Sequence, residues 1–417
     1  MRGYSELTQT DKTLWREFAV GLVSIFFVAA GQGAFLILMV AYLEHQGVPV
    51  AENGLLQAFL SLVEGSVCLG AGFLYFGKYT RWIIGAGILF MAAGALLYAL
   101  QPLGVLAWLA TGVNGIGIGV IIVILYVAVL ERRPHSLGIG MAVGLYTAGI
   151  AAGNAMGELL SGIITDHWGF GVSFSFSAAT MLMVLVTIAF IGRVVNYKTE
   201  GESSPEGGQP VGGRHSSWAG NQPGWAWKLG IVAGLSMSLV NVIFDTLFPI
   251  YGLRAGLTFT LVGTLAGLKM FLAAIVRPFS GAIMARLNAI RLNNWSLAGL
   301  AAATVLTPVV GVGFGLTALV CLMGLGFGTV RVTSAAITLF GQNDPKLTSQ
   351  RSSIYNTALS VGQIIGPWVS GLVAGVIGLS ATLAGLPGIF LLLYGLTLII
   401  IPRLRSSGDL VREERIT

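Results

Sequence analysis

The chain has 417 residues, of which 55% are apolar and only 10% charged, with a formal net charge of +6 and a mean hydropathy of +0.83. A soluble domain carries roughly a quarter charged residues, so these values exclude a water-soluble globular fold. The positive charge does not point to a nucleic acid, because the basic residues fall in separate short segments between apolar runs rather than in one patch.

A helix needs ~20 apolar residues to cross the ~30 Å hydrocarbon core of a bilayer. Twelve such runs follow in order: Ala19–Leu43, Gly54–Phe76, Trp82–Leu100, Leu106–Leu130, Leu137–Ile164, Val172–Ile191, Leu229–Tyr251, Leu257–Met284, Trp295–Val312, Leu316–Phe340, Ile354–Ile377 and Thr382–Ile401. They are too long and too uniformly apolar for barrel strands, which alternate over about ten residues. Helices remain, since backbone polar groups have no water to bond inside a membrane. The segment before Ala19 is polar and the first apolar run has full spanning length, so no cleavable leader is expected. Cys68 and Cys321 both fall inside spans, where cysteine packs as a small hydrophobe. Between the sixth and seventh spans, Arg193 to Trp227 is rich in Gly, Ser, Pro and Glu and reads as a flexible linker. The expected organisation is an N-terminal six-helix bundle over 1–192, a linker over 193–227 and a C-terminal six-helix bundle over 228–417.

The two halves repeat. An offset of 209 residues brings Gly54, Gly72, Gly115, Gly117 and Gly119 onto Gly263, Gly281, Gly324, Gly326 and Gly328. The same offset brings Gly153, Gly157, Ser161, Gly162 and Tyr146 onto Gly362, Gly366, Ser370, Gly371 and Tyr355. Duplicated helical bundles of this kind are mostly secondary transporters, with the substrate held near the midplane where the repeats meet. Lys and Arg gather on one side of the spans, among them Lys12, Arg16, Arg81, Arg132, Arg133, Arg291 and Arg403, while the opposite loops carry Arg254. The positive-inside rule then puts both termini and the linker in the cytoplasm, in a multi-pass protein of the cytoplasmic (inner) membrane.

Six charged residues fall inside spans: Glu64, Glu158, Asp245, Lys269, Arg277 and Arg331. An intramembrane charge costs ~2.5–3.5 kcal/mol on the insertion scale, so it usually faces a cavity or a partner. Gln57, Ser61, Glu64 and Cys68 form one stripe on the second span, and Gly234, Ser238, Asn241 and Asp245 form another on the seventh. On the tenth the stripe is Gly324, Gly328, Arg331, Ser334 and Thr338; the first offers Ser24 and Gln32. Asp245 lies near enough to the end of its span to reach water, and Arg277 near enough to snorkel. Asn154 and Gln363 are related by the repeat, as are Tyr146 and Tyr355, and each pair could meet a substrate or bond across helices.

Helix 11 carries Gly362-x-x-x-Gly366-Pro367-x-x-Ser370-Gly371, and helix 5 the same frame with Glu158 in place of the proline. Small residues allow close helix approach and proline permits bending. With six plus six helices, this pattern resembles the major facilitator superfamily and its antiporter motif, which implies that Gly157, Gly366 and Pro367 serve conformational change. The resemblance also implies that helices 1, 4, 7 and 10 line a central cavity. It makes helices 5 and 8 neighbours, so that Glu158 could pair with Lys269. The sequence departs from the family at the helix 2–3 loop, where Phe76, and Ala285 in the second copy, replace an aspartate that helps latch the cytoplasmic side. In helix 4, Thr111 replaces an arginine associated with proton-coupled exporters, ahead of Asn114-Gly115.

The expected function is a proton-coupled secondary transporter that exports a small organic molecule by alternating access. Gln32, Glu64, Asn154, Glu158, Asn241, Asp245, Lys269, Arg331 and Gln363 are the expected substrate and proton pathway. Glu64 or Asp245 would carry the proton, and Arg331 or Lys269 would tune it by approaching or withdrawing. The alternatives are an uptake symporter or uniporter for a sugar or organic acid, and a non-transporting sensor or scaffold. No P-loop occurs, and His45, His135, His167 and His215 lack metal-ligand spacing. The chain is therefore not expected to be an enzyme or to hold a cofactor or metal. Its expected partners are a small-molecule substrate, protons and the lipid bilayer, with no nucleic acid, and the expected state is a monomer.

Overall fold

A computed structural model of the chain describes residues 9–71, 80–134, 136–137, 139–191, 225–284, 287–339 and 345–413. The described residues form eleven helices: α1 (Gln9–His45), α2 (Val50–Ala71), α3 (Thr80–Ala99), α4 (Val105–Glu131), α5 (Ile139–Ile191), α6 (Ala226–Arg254), α7 (Phe259–Met284), α8 (Ala289–Val310), α9 (Phe314–Leu339), α10 (Pro345–Ile377) and α11 (Leu379–Glu413). Among the described residues, nine stretches of helix are long and apolar enough to cross a membrane.

The expected fifth and sixth spans are one element, α5, 53 residues long and interrupted only at Gly169, with φ 80 and ψ 174. Its two arms lie side by side. A Cβ on Gly31 of α1 would meet Ser177 and Met181 of the second arm, while Gly153 and Gly157 of the first arm abut Phe26 and Ala30. Eleven helices, one of them interrupted at Gly169, are consistent with the twelve spans expected from the sequence. The interruption is one residue rather than a loop because glycine alone adopts that backbone conformation readily. Several helices outrun their apolar cores: α1 starts at Gln9 rather than Ala19, and α10 at Pro345 rather than Ile354. A hydropathy reading finds only the hydrocarbon-spanning part, while backbone hydrogen bonding continues into polar turns. Ala226 and Trp227, expected in the linker, open α6; the rest of that linker up to residue 224 lies outside the described residues, as do Phe76 and Ala285.

Helices α1–α5 pack on one another as one bundle, and α6–α11 as a second. Within each, glycines let helices touch backbone to backbone. Gly117 fits against Gly87 and Met91 of α3, and its repeat mate Gly326 against Ser296 and Leu300 of α8. Gly115 meets the Leu60 carbonyl of α2, and Gly324 the Lys269 carbonyl of α7. The N-terminal bundle is centred on Phe35, Tyr42, Tyr98 and Phe174, whose rings meet edge to face or tilted at 5.1–6.2 Å.

The bundles meet along two crossings, α5 with α7 and α2 with α10. A Cβ on Gly263 would strike the Glu158 carbonyl and stand 3.1 Å from the Gly162 Cα. A Cβ on Gly54 would strike the Pro367 carbonyl and stand 2.9 Å from the Gly371 Cα. Each position of one crossing maps onto its counterpart in the other by the repeat offset, so a single contact is used twice. The near end of the molecule is where α1 begins, and the far end is where it gives way to α2. At the far end Arg254 forms a two-pronged pair with Glu44 across the bundles, at 2.6 and 3.0 Å. Asp166 of α5 accepts the backbone N–H groups of Phe259 and Thr260 at 3.2 and 2.7 Å, capping α7 from the opposite bundle. His45 and Phe170 pack on Phe259 beside them, so the far end is closed.

Gly366, expected to be tightly packed, is corrected by this geometry. A Cβ there would sit 3.5 Å from Val242, an ordinary contact, whereas the tight approach falls at Gly371. A cysteine pair at Glu44 and Arg254 should therefore cross-link with a short bifunctional maleimide. Adding Gly263→Leu should lower the yield severalfold by forcing the bundles apart, and adding Gly366→Ala should leave it unchanged. Equal yields in all three proteins would show that the glycine crossings do not hold the far end shut.

Candidate functional site

Three intramembrane charges converge about 15 Å from the far end, counted along their helices at 1.5 Å per residue. They are Glu158 on the first arm of α5, Asp245 on α6 and Lys269 on α7. Lys269 is 1% exposed and forms an ion pair with Asp245, whose side chain is 36% exposed. Its ammonium also donates to Asn241 Oδ1 at 3.0 Å. Asn241 lies one turn before Asp245 and donates from Nδ2 to Asp245 Oδ2 at 2.7 Å, closing a ring of three polar side chains. The rings of Phe244 and Phe327 lie 5.1 and 5.8 Å from the ammonium. A buried lysine needs this many partners, since an unpaired charge in a low-dielectric interior is strongly destabilising.

The expected Glu158–Lys269 pair does not form in this conformation. Lys269 is held within its own bundle by α6, where Asn241 and Asp245 are preset by helix geometry. Glu158 stands on the opposing bundle where α5 crosses α7, between the contacts of Gly263 and Gly267, and its buried Oε2 has no hydrogen-bond partner. Next to Asp245 along α6 toward the far end, Thr246 donates to Gln57 of α2, a further polar link between the bundles.

A second group lies about 10–12 Å from the near end. Arg277 of α7 is 7% exposed. Its Nη1 donates to the Thr147 carbonyl of α5 at 2.6 Å, its guanidinium lies 5.4 Å from the Phe327 ring, and its Nε has no partner. Expected to snorkel to water, this arginine is instead enclosed between the bundles, because α5 crosses over α7 there. Arg331 of α9 is half-buried, with its guanidinium 5.8 Å from the Tyr355 ring. The Tyr355 hydroxyl shares a hydrogen bond with Ser334 at 2.9 Å and donates to the Arg331 carbonyl at 3.3 Å. Its repeat mate Tyr146 stacks edge to face with Tyr126 at 5.1 Å.

The other expected residues stand apart. Glu64 is half-buried on α2, and its carboxylate makes no hydrogen bond or ion pair among the described residues. Gln32 is buried with its Oε1 unpartnered. Asn154 lends its backbone to the packing of Gly33, and Gln363 is exposed on α10. Thr111 is fully buried inside the N-terminal bundle, bonded to the Tyr98 hydroxyl at 2.9 Å and the Ala107 carbonyl at 2.8 Å. Phe244, Phe327 and Tyr126 were not legible as site residues, since aromatics are unmarked in apolar runs. Nor were Glu44 and Asp166, whose partners lie in the other bundle. Arg254 was legible only as the lone base of its side.

Chains of known structure share this arrangement. A single-residue mutant of the peptide transporter POT, in complex with sulfate, superposes with a TM-score of 0.72 over 96% of this chain and 96% of that one, at 16% identity. The POT family transporter PepTSo superposes with a TM-score of 0.71 over 94% of this chain and 98% of that one, at 12% identity. At such identities the likeness establishes the fold. In sequence, the chain is 25% identical over 181 residues to the Multidrug resistance protein Stp of Mycobacterium tuberculosis (strain CDC 1551 / Oshkosh), covering 40% of this chain and 33% of that protein. The same protein from strain ATCC 25618 / H37Rv is 24% identical over 185 residues. The match thus spans about a third of the length of these curated relatives. The sequence model of the Major Facilitator Superfamily matches residues 22–346. The chain, a multi-pass membrane protein, therefore belongs to the Major Facilitator Superfamily, whose members are transporters and not enzymes.

Proposed function

We propose that the chain exports a small organic molecule in exchange for protons, by alternating access between a far-end-closed and a near-end-closed conformation. The observation that carries this reading is the Asp245–Lys269 pair facing an unpaired Glu158 across the bundle interface. Protonation of Asp245 frees Lys269 to bind Glu158 on the opposing bundle, so taking up a proton is tied to a change in how the bundles engage. Its partly exposed position gives Asp245 a route to water that the buried lysine lacks. The glycine-proline frame of α10 and the likeness to a multidrug resistance protein support export.

The near end is the cytoplasmic one in this reading, with the termini and linker inside, because the basic loops gather there. The unit boundaries proposed are 1–192 and 228–417, joined by the intervening linker, in a monomer. Uptake of a nutrient is the second reading. It is favoured by Thr111, which fills the exporter arginine position with a buried core contact, and by structural neighbours named as peptide transporters.

Two experiments bear on this. In a background with Cys68 and Cys321 replaced by Ala, Ser380→Cys at the far end should react with an impermeant maleimide on intact cells. Arg291→Cys at the near end should react only after permeabilisation. The reverse pattern would invert the topology. In proteoliposomes screened with radiolabelled organic acids, dipeptides and amphipathic dyes, Asp245→Asn should abolish accumulation driven by an imposed pH gradient while keeping exchange without one. Glu64→Gln should keep both. If Asp245→Asn still concentrates substrate, the coupling site is elsewhere, and loss in Glu64→Gln alone would move it to α2.

A further inference from the structure

The near-end pair of arginines is not explained by proton coupling. Arg277 lies on the ring of Phe327, which stands one helical turn before Arg331 on α9, and neither arginine forms an ion pair among the described residues. Two like charges in a membrane interior are held apart from water at a cost unless something neutralises them. Arg277 spends one N–H on the Thr147 carbonyl and leaves Nε buried without a partner. Arg331 has a ring against its face and no hydrogen bond from its guanidinium among the described residues. Glu64 lies at a similar depth on α2, yet pairs with neither.

The walls around these cations are aromatic. Phe327 lies against Arg277 and Tyr355 against Arg331. From the opposite bundle Tyr126 packs on Tyr146, the neighbour of Thr147, whose carbonyl accepts from Arg277. Planar guanidinium groups with free N–H donors match a carboxylate in two-pronged fashion, and aromatic faces suit a flat apolar body.

We propose that Arg277 and Arg331 form an anion-binding site, and that the substrate is a small organic anion with a flat, aromatic or conjugated body. That assignment rests on the chain being a transporter, but not on proton coupling or direction. The site lies on the near-end side of the Asp245–Lys269 pair, with the half-buried Arg331 its more accessible charge. Both bundles contribute to the site, Arg277 and Arg331 from one and Thr147, Tyr126 and Tyr146 from the other. Bound charge there would draw them together at the near end.

The test is equilibrium binding to the full chain in phosphatidylcholine nanodiscs, read as thermal stabilisation and by titration. The probes share one shape at three charges: naphthoate, naphthamide and naphthylmethylammonium. Naphthoate should raise the melting temperature, and the neutral and cationic analogues should not. Arg331→Gln should weaken naphthoate about tenfold or more, since a charge-assisted pair is lost. Arg331→Lys should recover part of that loss, which a purely structural role for the arginine would not produce. Arg277→Gln should weaken it as well, and if that protein does not fold the Arg331 pair of variants decides alone. Equal binding of all three probes, or naphthoate binding unchanged in Arg331→Gln, overturns the proposal. Nanodiscs of phosphatidylglycerol separate a lipid source. If that lipid blocks naphthoate in the wild type, the anion held is a headgroup and the substrate assignment is overturned. Absence of pH-driven transport by a protein that binds naphthoate would sink the proton-coupled reading alone. Absence of binding by a protein that couples would sink this one alone.

Discussion

The architecture depends on backbone-to-backbone contact between two bundles at positions where no side chain fits. Gly263 lies on the Glu158 carbonyl and Gly162, and Gly54 on the Pro367 carbonyl and Gly371. In lipid, no hydrophobic force pushes helices together, so association rests on close packing and on hydrogen bonds. Two repeat-related crossings give the interface a near-twofold axis. The polar ties at the far end, Glu44–Arg254 and Asp166 on the start of α7, add register. An exposed ion pair is worth about 1 kcal/mol or less in water, so these ties set register more than they hold the bundles together.

The repeat then accounts for where the charges are and are not. Glu158 occupies the position that Pro367 holds in the other half, and Lys269 the position of Leu60, so duplication supplied the frame and divergence the chemistry. The glycines of the two crossings recur in both halves while the embedded charges do not, so the packing frame is shared and the electrostatics is lopsided. Lys269, Arg277 and Arg331 all stand in the C-terminal bundle, with the opposing bundle offering Glu158, the Thr147 carbonyl and tyrosines.

The fold was legible because bilayer physics leaves few choices: a long apolar run is a helix, and a constant glycine offset is a duplicated bundle. The site was legible in parts. Asn241 and Asp245 share a helical face at a spacing of four, so their bond follows from periodicity alone. Which cation they hold does not, since Lys269 could equally have been read toward Glu158; only the three-dimensional placement of α6 beside α7 decides it. Glu64 drew attention by its depth in an apolar run, but depth does not specify neighbours, and its carboxylate forms no ion pair among the described residues. The snorkelling reading of Arg277 failed for a related reason: distance from a helix end says nothing about what crosses over that end.

The hairpin of α5 has a further consequence. Its arms meet at a single left-handed glycine, and the first arm both carries Asp166 and forms the α7 crossing, while the second packs on α1. A corner with no spare residues cannot take up slack. The two arms are therefore joined by one glycine, whose permissive backbone lets their angle change while their ends stay together. Among the described residues of the N-terminal bundle, Gly169 is thus a bend without a loop, where chain length rather than side-chain chemistry limits how far two helical arms can part.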